Sequence, residues 1–232
     1  MCTISTKPQL AYHSIERLLA PESPYYYYYS VPRAYLPVEV VHSTEIRRVQ
    51  TNELVYPWPV SDYAAVKRRF KQAKLSLEAS EHFAQLKSTL ASAAIPPGIT
   101  KIVALACSTM TQADDGDGRS MAQHILALMI RDLLASGSPA DADGESAGRI
   151  KCYAQDPIYT PVDEQVLSEA GFTVLDDPRA FLEIDEASVV IAKAPDIPVR
   201  QIVADIARPA IMIWDKVIFK ENPVKDDPSV TW

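Results

Sequence analysis

From Lys101 to Asp215, apolar runs alternate with amphipathic segments, and turns rich in acids or hydroxyls close the runs. Short apolar runs read as buried strands, and segments with apolar residues every three to four positions read as helices. The pattern predicts strands at Lys101–Cys107, Ile150–Ala154, Phe172–Leu175, Ser188–Ala192 and Ala210–Trp214. Between them it predicts helices at Arg119–Ala135, near Val162–Ala170 with Gly171 as terminator, near Arg179–Ile184, and at Val199–Ala207. Residues 136–148 read as a surface loop. Strands that alternate with helices imply a parallel sheet covered on both faces. The expected fold is α/β, a Rossmann-like three-layer sandwich whose mostly parallel sheet has about five or more strands.

Upstream, Val66, Phe70, Ala73 and Leu77, then Phe83, Leu86 and Leu90, keep a helical period. They predict one long helix over 61–91, with Ser61 or Asp62 able to cap it. Residues 1–60 are Pro-rich and expected to be an irregular arm with one short helix near Gln9–Ala20. The run Tyr25–Tyr29 cannot place all five rings on one side of any regular element, so some meet solvent, a ligand or a partner. The expected organisation is that arm followed by a single α/β domain over 61–232.

Composition narrows the function classes. A formal net charge of −7 counts against an overall basic nucleic-acid binder and leaves room for a local basic patch. No apolar run approaches the roughly 20 residues that span a bilayer, and the first residues lack the basic and apolar regions of a signal peptide. Cytoplasmic residence is the expectation. Three scattered cysteines without a C-x-x-C pair imply neither a disulfide framework nor a zinc site, and Cys107 and Cys152 read as small buried hydrophobes.

Candidate chemistry centres on the first strand–helix turn, Ala106-Cys107-Ser108-Thr109-Met110. It has no glycine until Gly116, and neither a G-x-G-x-x-G nor a G-K-[ST] pattern, so NAD, FAD and P-loop ATP are not expected. No metal is expected either: Asp115-Gly116-Asp117-Gly118 lacks the glutamate that completes a calcium loop. Ser108 is a candidate nucleophile, or simply the cap of a turn. His124 and Tyr159 are the candidate proton carriers, although His124 beside an apolar stripe also suits a structural histidine. Asp114, Asp156, Asp176, Asp177 and Asp215 follow strands, as do Asp115 and Asp117. Gathered round one cleft they would attract a cation, and paired carboxylates suit a guanidinium. Asp before Pro is equally ordinary turn chemistry at Asp156 and Asp177. Lys67, Arg68, Arg69, Lys71 and Lys74 form either a solvated helix face or a contact for a phosphate backbone.

Residues from about Lys101 to Val217 resemble the "sensitivity to red light reduced" domain family, especially its fungal members. The resemblance is carried by Arg119-Ser120-Met121-Ala122-Gln123-His124, by Ala154-Gln155-Asp156-Pro157-Ile158-Tyr159, and by Gly171-Phe172 with Asp176-Asp177-Pro178. Pro209-Ala210-Ile211-Met212-Ile213-Trp214-Asp215 completes it. The family usually has a Gly-rich turn where this chain has Cys107-Ser108-Thr109. The resemblance implies an α/β core, with links to light signalling, the circadian clock and haem metabolism. A looser similarity is to the fungal arginine-containing cyclodipeptide synthases, which join aminoacyl groups taken from tRNA. Their Asp-Asp-x-x-Glu motif compares with Asp176-Asp177-Pro178-Arg179-Ala180, which has alanine at the last place.

Two expectations follow. In the first, a synthase accepts an aminoacyl group from aminoacyl-tRNA on Ser108, holds a cationic substrate with its aspartates, and meets tRNA with its basic helix. In the second, a non-catalytic regulatory protein binds a ligand without turning it over. A methyltransferase-like enzyme using S-adenosylmethionine is a third reading.

Overall fold

The computed structural model describes residues 2–12, 38–56, 58–112, 118–137, 150–193, 195 and 197–215. Tyr25–Tyr29, Asp114, Asp115 and Asp117 lie outside them. The N-terminal region corrects the expectation of an irregular arm. Strand β1 (Cys2–Tyr12) pairs antiparallel with β2 (Val38–Arg48), from Cys2 opposite Arg48 to Tyr12 opposite Val38. β3 (Leu54–Val55) adds to the other side of β2 after a turn in which Asn52 takes a left-handed φ of 58°. The β-branched residues Thr3, Ile4 and Thr6 in β1, and Val38, Val40, Val41, Thr44 and Ile46 in β2, suit extended backbone. Pro8 is tolerated because β1 is an edge strand. Gln9–Tyr12, expected to start a helix, are therefore strand.

The long helix over 61–91 is two helices. α1 (Tyr63–Glu78) starts at Asp62, whose carboxylate accepts from Ala65 N at 2.9 Å. α2 (Glu81–Ser92) starts at Ser80, whose hydroxyl accepts from Phe83 N at 3.2 Å. Ser80 breaks the ladder because its side chain offers the next turn a cap.

The core sheet is β4 (Lys101–Leu105), β5 (Lys151–Gln155), β6 (Phe172–Val174), β7 (Ser188–Ala192) and β8 (Ile211–Trp214). All neighbours are parallel, in the order β6-β5-β4-β7-β8. The chain steps outward from β4 to β6, returns to place β7 beside β4, and steps outward again. α3 (Arg119–Gly137) and α4 (Pro161–Ala170) connect the first three strands; α5 (Arg179–Leu182) and α6 (Val199–Ile206) connect the rest.

Two buried clusters explain why these strands are apolar throughout. Ile102, Ala104, Cys152, Ala154, Val189 and Ile191 face Val66 and Phe70 of α1, Ile125 and Leu128 of α3, and Val166 and Leu167 of α4. Val103, Leu105, Val190 and Ala192 face Ala180 and Phe181 of α5 and Val199 and Val203 of α6. The result is a Rossmann-like three-layer α/β sandwich. Its strand order reverses between β4 and β7, and in such sheets ligands bind outside the carboxyl ends of the strands at that point.

Candidate functional site

The turn leaving β4 sits at that reversal. Ala106 and Ser108 both take left-handed conformations, with φ of 53° and 64°. For residues with a Cβ this costs roughly 1–2 kcal/mol each, so the surroundings must hold them. Ala106 N donates to Gln155 O at 3.1 Å, carrying the ladder one residue past the strand. Ser108 N donates to Asp156 Oδ2 at 2.7 Å, and Ser120 Oγ donates to Ser108 O at 2.7 Å. Both main-chain polar groups of Ser108 are thus occupied. Its side chain is exposed at the rim and, among the described residues, its hydroxyl has no hydrogen-bond partner. Cys107 points the other way, fully buried, and burial pushes its thiol up, away from the thiolate.

The next residues are held by a carboxylate that sequence reasoning missed. Asp163 is fully buried. Its Oδ1 accepts from Met110 N at 2.7 Å, and its Oδ2 accepts from Thr109 Oγ1 at 2.6 Å, Thr160 N at 2.8 Å and Thr160 Oγ1 at 2.9 Å. It is also the third residue of α4 in a capping box with Thr160. The signal was available: Thr-x-x-Asp before an apolar run is a helix-start pattern. The segment before α1 joins the same turn, with Ser61 N donating to Thr111 O at 2.9 Å. Tyr56 and Trp58, ring centroids 5.9 Å apart, belong to that segment.

His124 and Tyr159 come together as a pair. His124 is fully buried; its Nδ1 lies 2.7 Å from Ser120 O and its Nε2 lies 2.6 Å from Tyr159 Oη. A carbonyl only accepts, so Nδ1 carries the proton and Nε2 accepts from the phenol. Burial depresses the imidazole to about 4 and raises the phenol. Both ring nitrogens are committed, and neither is bonded to Ser108.

The described aspartates do not all gather in one hollow. Asp156, besides Ser108 N, accepts from Ile158 N at 3.1 Å and so pins its own bend. Asp177 accepts from Gln155 Nε2 at 2.7 Å, and burial raises its carboxyl. Asp176 is exposed, its carbonyl accepting from Arg179 N. Asp215 follows β8, four strand spacings from β6. At about 4.8 Å per spacing that is about 19 Å, too far to share a small ligand with Asp176 or Asp177. Gln155 was also missed: only 4% exposed, it ties β5 to α5 by accepting from Ala180 N at 2.7 Å as well as donating to Asp177.

The basic residues of α1 divide. Lys67 Nζ lies 2.8 Å from Glu169 Oε2 and from Tyr63 Oη, and this pairing raises the lysine. Arg69 donates to Met110 O at 3.1 Å, and Lys74 pairs with Glu78 at 3.8 Å. Arg68 and Lys71 are exposed along a shallow groove with Tyr63, Ala64, Gln72 and Leu75. Among the described residues no three His, Cys, Asp or Glu side chains converge as metal ligands, and no helix is long and apolar enough to cross a membrane.

The family model for the SRR1 domain matches residues 76–225. The match takes in the five-stranded sheet, Ser108, Asp163 and the His124–Tyr159 pair, and begins after the basic residues of α1. No curated protein and no solved structure matches the chain.

Proposed function

The chain belongs to the SRR1 domain family, and from that premise we propose that it is an aminoacyl-transferring enzyme of the cyclodipeptide-synthase type, with Ser108 as the acyl acceptor. One observation carries this reading: the exposed Ser108 hydroxyl stands on a left-handed turn at the strand-order reversal, with its main chain tied on both sides. Backbone strain of this kind persists where the surroundings over-determine it, and it concentrates at functional sites. A nucleophile on a sharp turn after a strand is a recurrent way to present an oxygen above a sheet.

In the proposed reaction Ser108 Oγ attacks the carbonyl carbon of an aminoacyl-tRNA ester. The terminal ribose oxygen leaves and takes up a proton, and Asp156, bonded to the amide of Ser108, is the ionisable group on hand to relay it. The amine of a second aminoacyl-tRNA attacks the seryl ester, freeing Ser108 and leaving a dipeptidyl ester on that tRNA. Its amino end then closes the ring and expels the tRNA, a step favoured by proximity. Asp156 and Asp177, which follow the adjacent strands β5 and β6, are the acids proposed to share a cationic substrate, with Asp176 next to Asp177 in the chain. Arg68 and Lys71 are the basic residues left to meet the tRNA backbone.

The deciding assay supplies arginyl-tRNA with a second charged tRNA and reads cyclic dipeptide, and ester-modified Ser108, by mass spectrometry. Product formed by the parent and lost in Ser108→Ala supports the reading; neither product nor ester removes it. The second reading, a ligand-binding protein without turnover, is favoured by the commitment of both His124 nitrogens away from Ser108. It predicts that deleting residues 1–60 abolishes association with a partner while the core stays folded.

A further inference from the structure

Five residues on three separate segments close a single hydrogen-bonded circuit beneath the rim. Ser120 Oγ donates to Ser108 O at 2.7 Å. One turn along α3, His124 Nδ1 donates to Ser120 O at 2.7 Å. Tyr159 Oη donates to His124 Nε2 at 2.6 Å. Tyr159 N donates to Asp156 O at 3.2 Å, and Asp156 Oδ2 returns to Ser108 N at 2.7 Å. The circuit starts on the carbonyl of Ser108 and ends on its amide, so the strained residue is the place where the ring closes.

We propose that Ser120, His124 and Tyr159 are positioning residues for Ser108, holding the turn through this ring instead of moving protons. Three observations favour that role. Each nitrogen of His124 has one partner, and both partners are links of the ring. Fully buried, His124 packs against the rings of Tyr159 and Phe172, edge-on to the latter with centroids 6.0 Å apart, in the core beneath the rim. The ring leaves the hydroxyl as the group of Ser108 offered to solvent. A closed network of this kind is stiffer than its separate bonds, because opening any link lets the whole loop relax. As a statement about catalysis the proposal rests on Ser108 being the acyl acceptor; as a statement about the turn it stands alone.

The test measures amide hydrogen exchange at Ser108 by NMR on the full chain, in Ser120→Ala, Tyr159→Phe and the double variant. Losing one such hydrogen bond is expected to speed exchange at Ser108 roughly tenfold. The touching groups are different in the two variants, so independent contacts would multiply to roughly a hundredfold in the double variant. A ring predicts an increase no more than roughly threefold beyond the faster single variant. Ser120→Thr, which keeps the hydroxyl, should return the rate to within roughly threefold of the parent. Exchange at Val103 in β4 should not move; if it does, the variants loosen the sheet generally and the proposal fails. Multiplying effects, or a single variant without effect, also overturn it. If cyclic dipeptide forms, both single variants should lower kcat and leave KM for charged tRNA unchanged. Product formation with multiplying exchange effects would remove the ring and spare the transferase; the ring pattern without product would do the reverse.

Discussion

The two halves of the sheet's carboxyl rim treat the same residue type in opposite ways. On the β5–β4 side, Asp163 is fully buried with four donors and Asp156 bridges two amides. On the β7–β8 side, Asp215 is exposed at the end of the last strand, and the buried surface is finished by Ala192, Val199 and Val203. All three acids look alike in the chain, a carboxylate in or just beyond the loop after an apolar run. What separates them is topology. Where the strand order reverses, the turn from β4, the loop from β5 and the start of α3 converge, and each brings main-chain groups that helix and sheet cannot satisfy. Carboxylates there do the work of a missing ladder. At β8, an edge strand with one neighbour, Asp215 stays exposed to solvent.

The contrast breaks most easily at Asp163. Asp163→Ala strands Met110 N, Thr160 N and the Thr160 hydroxyl in the interior, while Thr109 keeps Thr111 as a partner, and should cost at least about 3 kcal/mol of unfolding free energy in urea titrations. A loss similar to that of Asp215→Ala would void the comparison. The next effect is a pH dependence arising beneath the built half of the rim. Folding depresses His124 from 6.5 to about 4. Between those values the unfolded chain takes a proton at His124 that the folded protein does not. The contribution of His124 to stability is therefore full above about pH 6.5 and falls as pH drops to about 4, by on the order of 3 kcal/mol. His124→Gln should flatten that stretch of the stability curve whatever its absolute cost, and an unchanged slope would contradict the burial argument. Gln155→Ala, which frees Ala180 N and Asp177 together, should cost about 1–2 kcal/mol. The smallest change is Asp215→Ala, within about 0.5 kcal/mol of the parent.

Much of the fold was legible because it follows from local pattern. Ser188–Ala192 is a strand at the predicted bounds, since an unbroken apolar run suits a strand buried on both faces. Gly171 ends α4 at a φ of 99°, as a terminating glycine should. The break at Ser80 was hidden because Leu77 and Phe83 keep the same period on either side of it. β1 and β2 were hidden by the prolines around them and by a pairing 26 to 46 residues apart in the chain.

The site was less legible. Ser108 follows from its place after the first strand, but its partners do not: Asp156 is 48 residues away, and Tyr159 lies 35 from His124. No spacing rule links them. The acids were misjudged as a group because each strand end can be read locally, whereas the order β6-β5-β4-β7-β8, which parts Asp177 from Asp215, cannot.

The grip on Ser108 has a consequence for how this rim can change. Because the amide and the carbonyl at that position are both anchored, the backbone no longer depends on which short side chain hangs from it. A thiol or a bare methyl can be installed by one codon change while the scaffold beneath stays put, whereas a β-branched threonine is disfavoured at that left-handed φ. Descendants of such a chain can therefore change the group shown at this point of the rim and remain the same folded object.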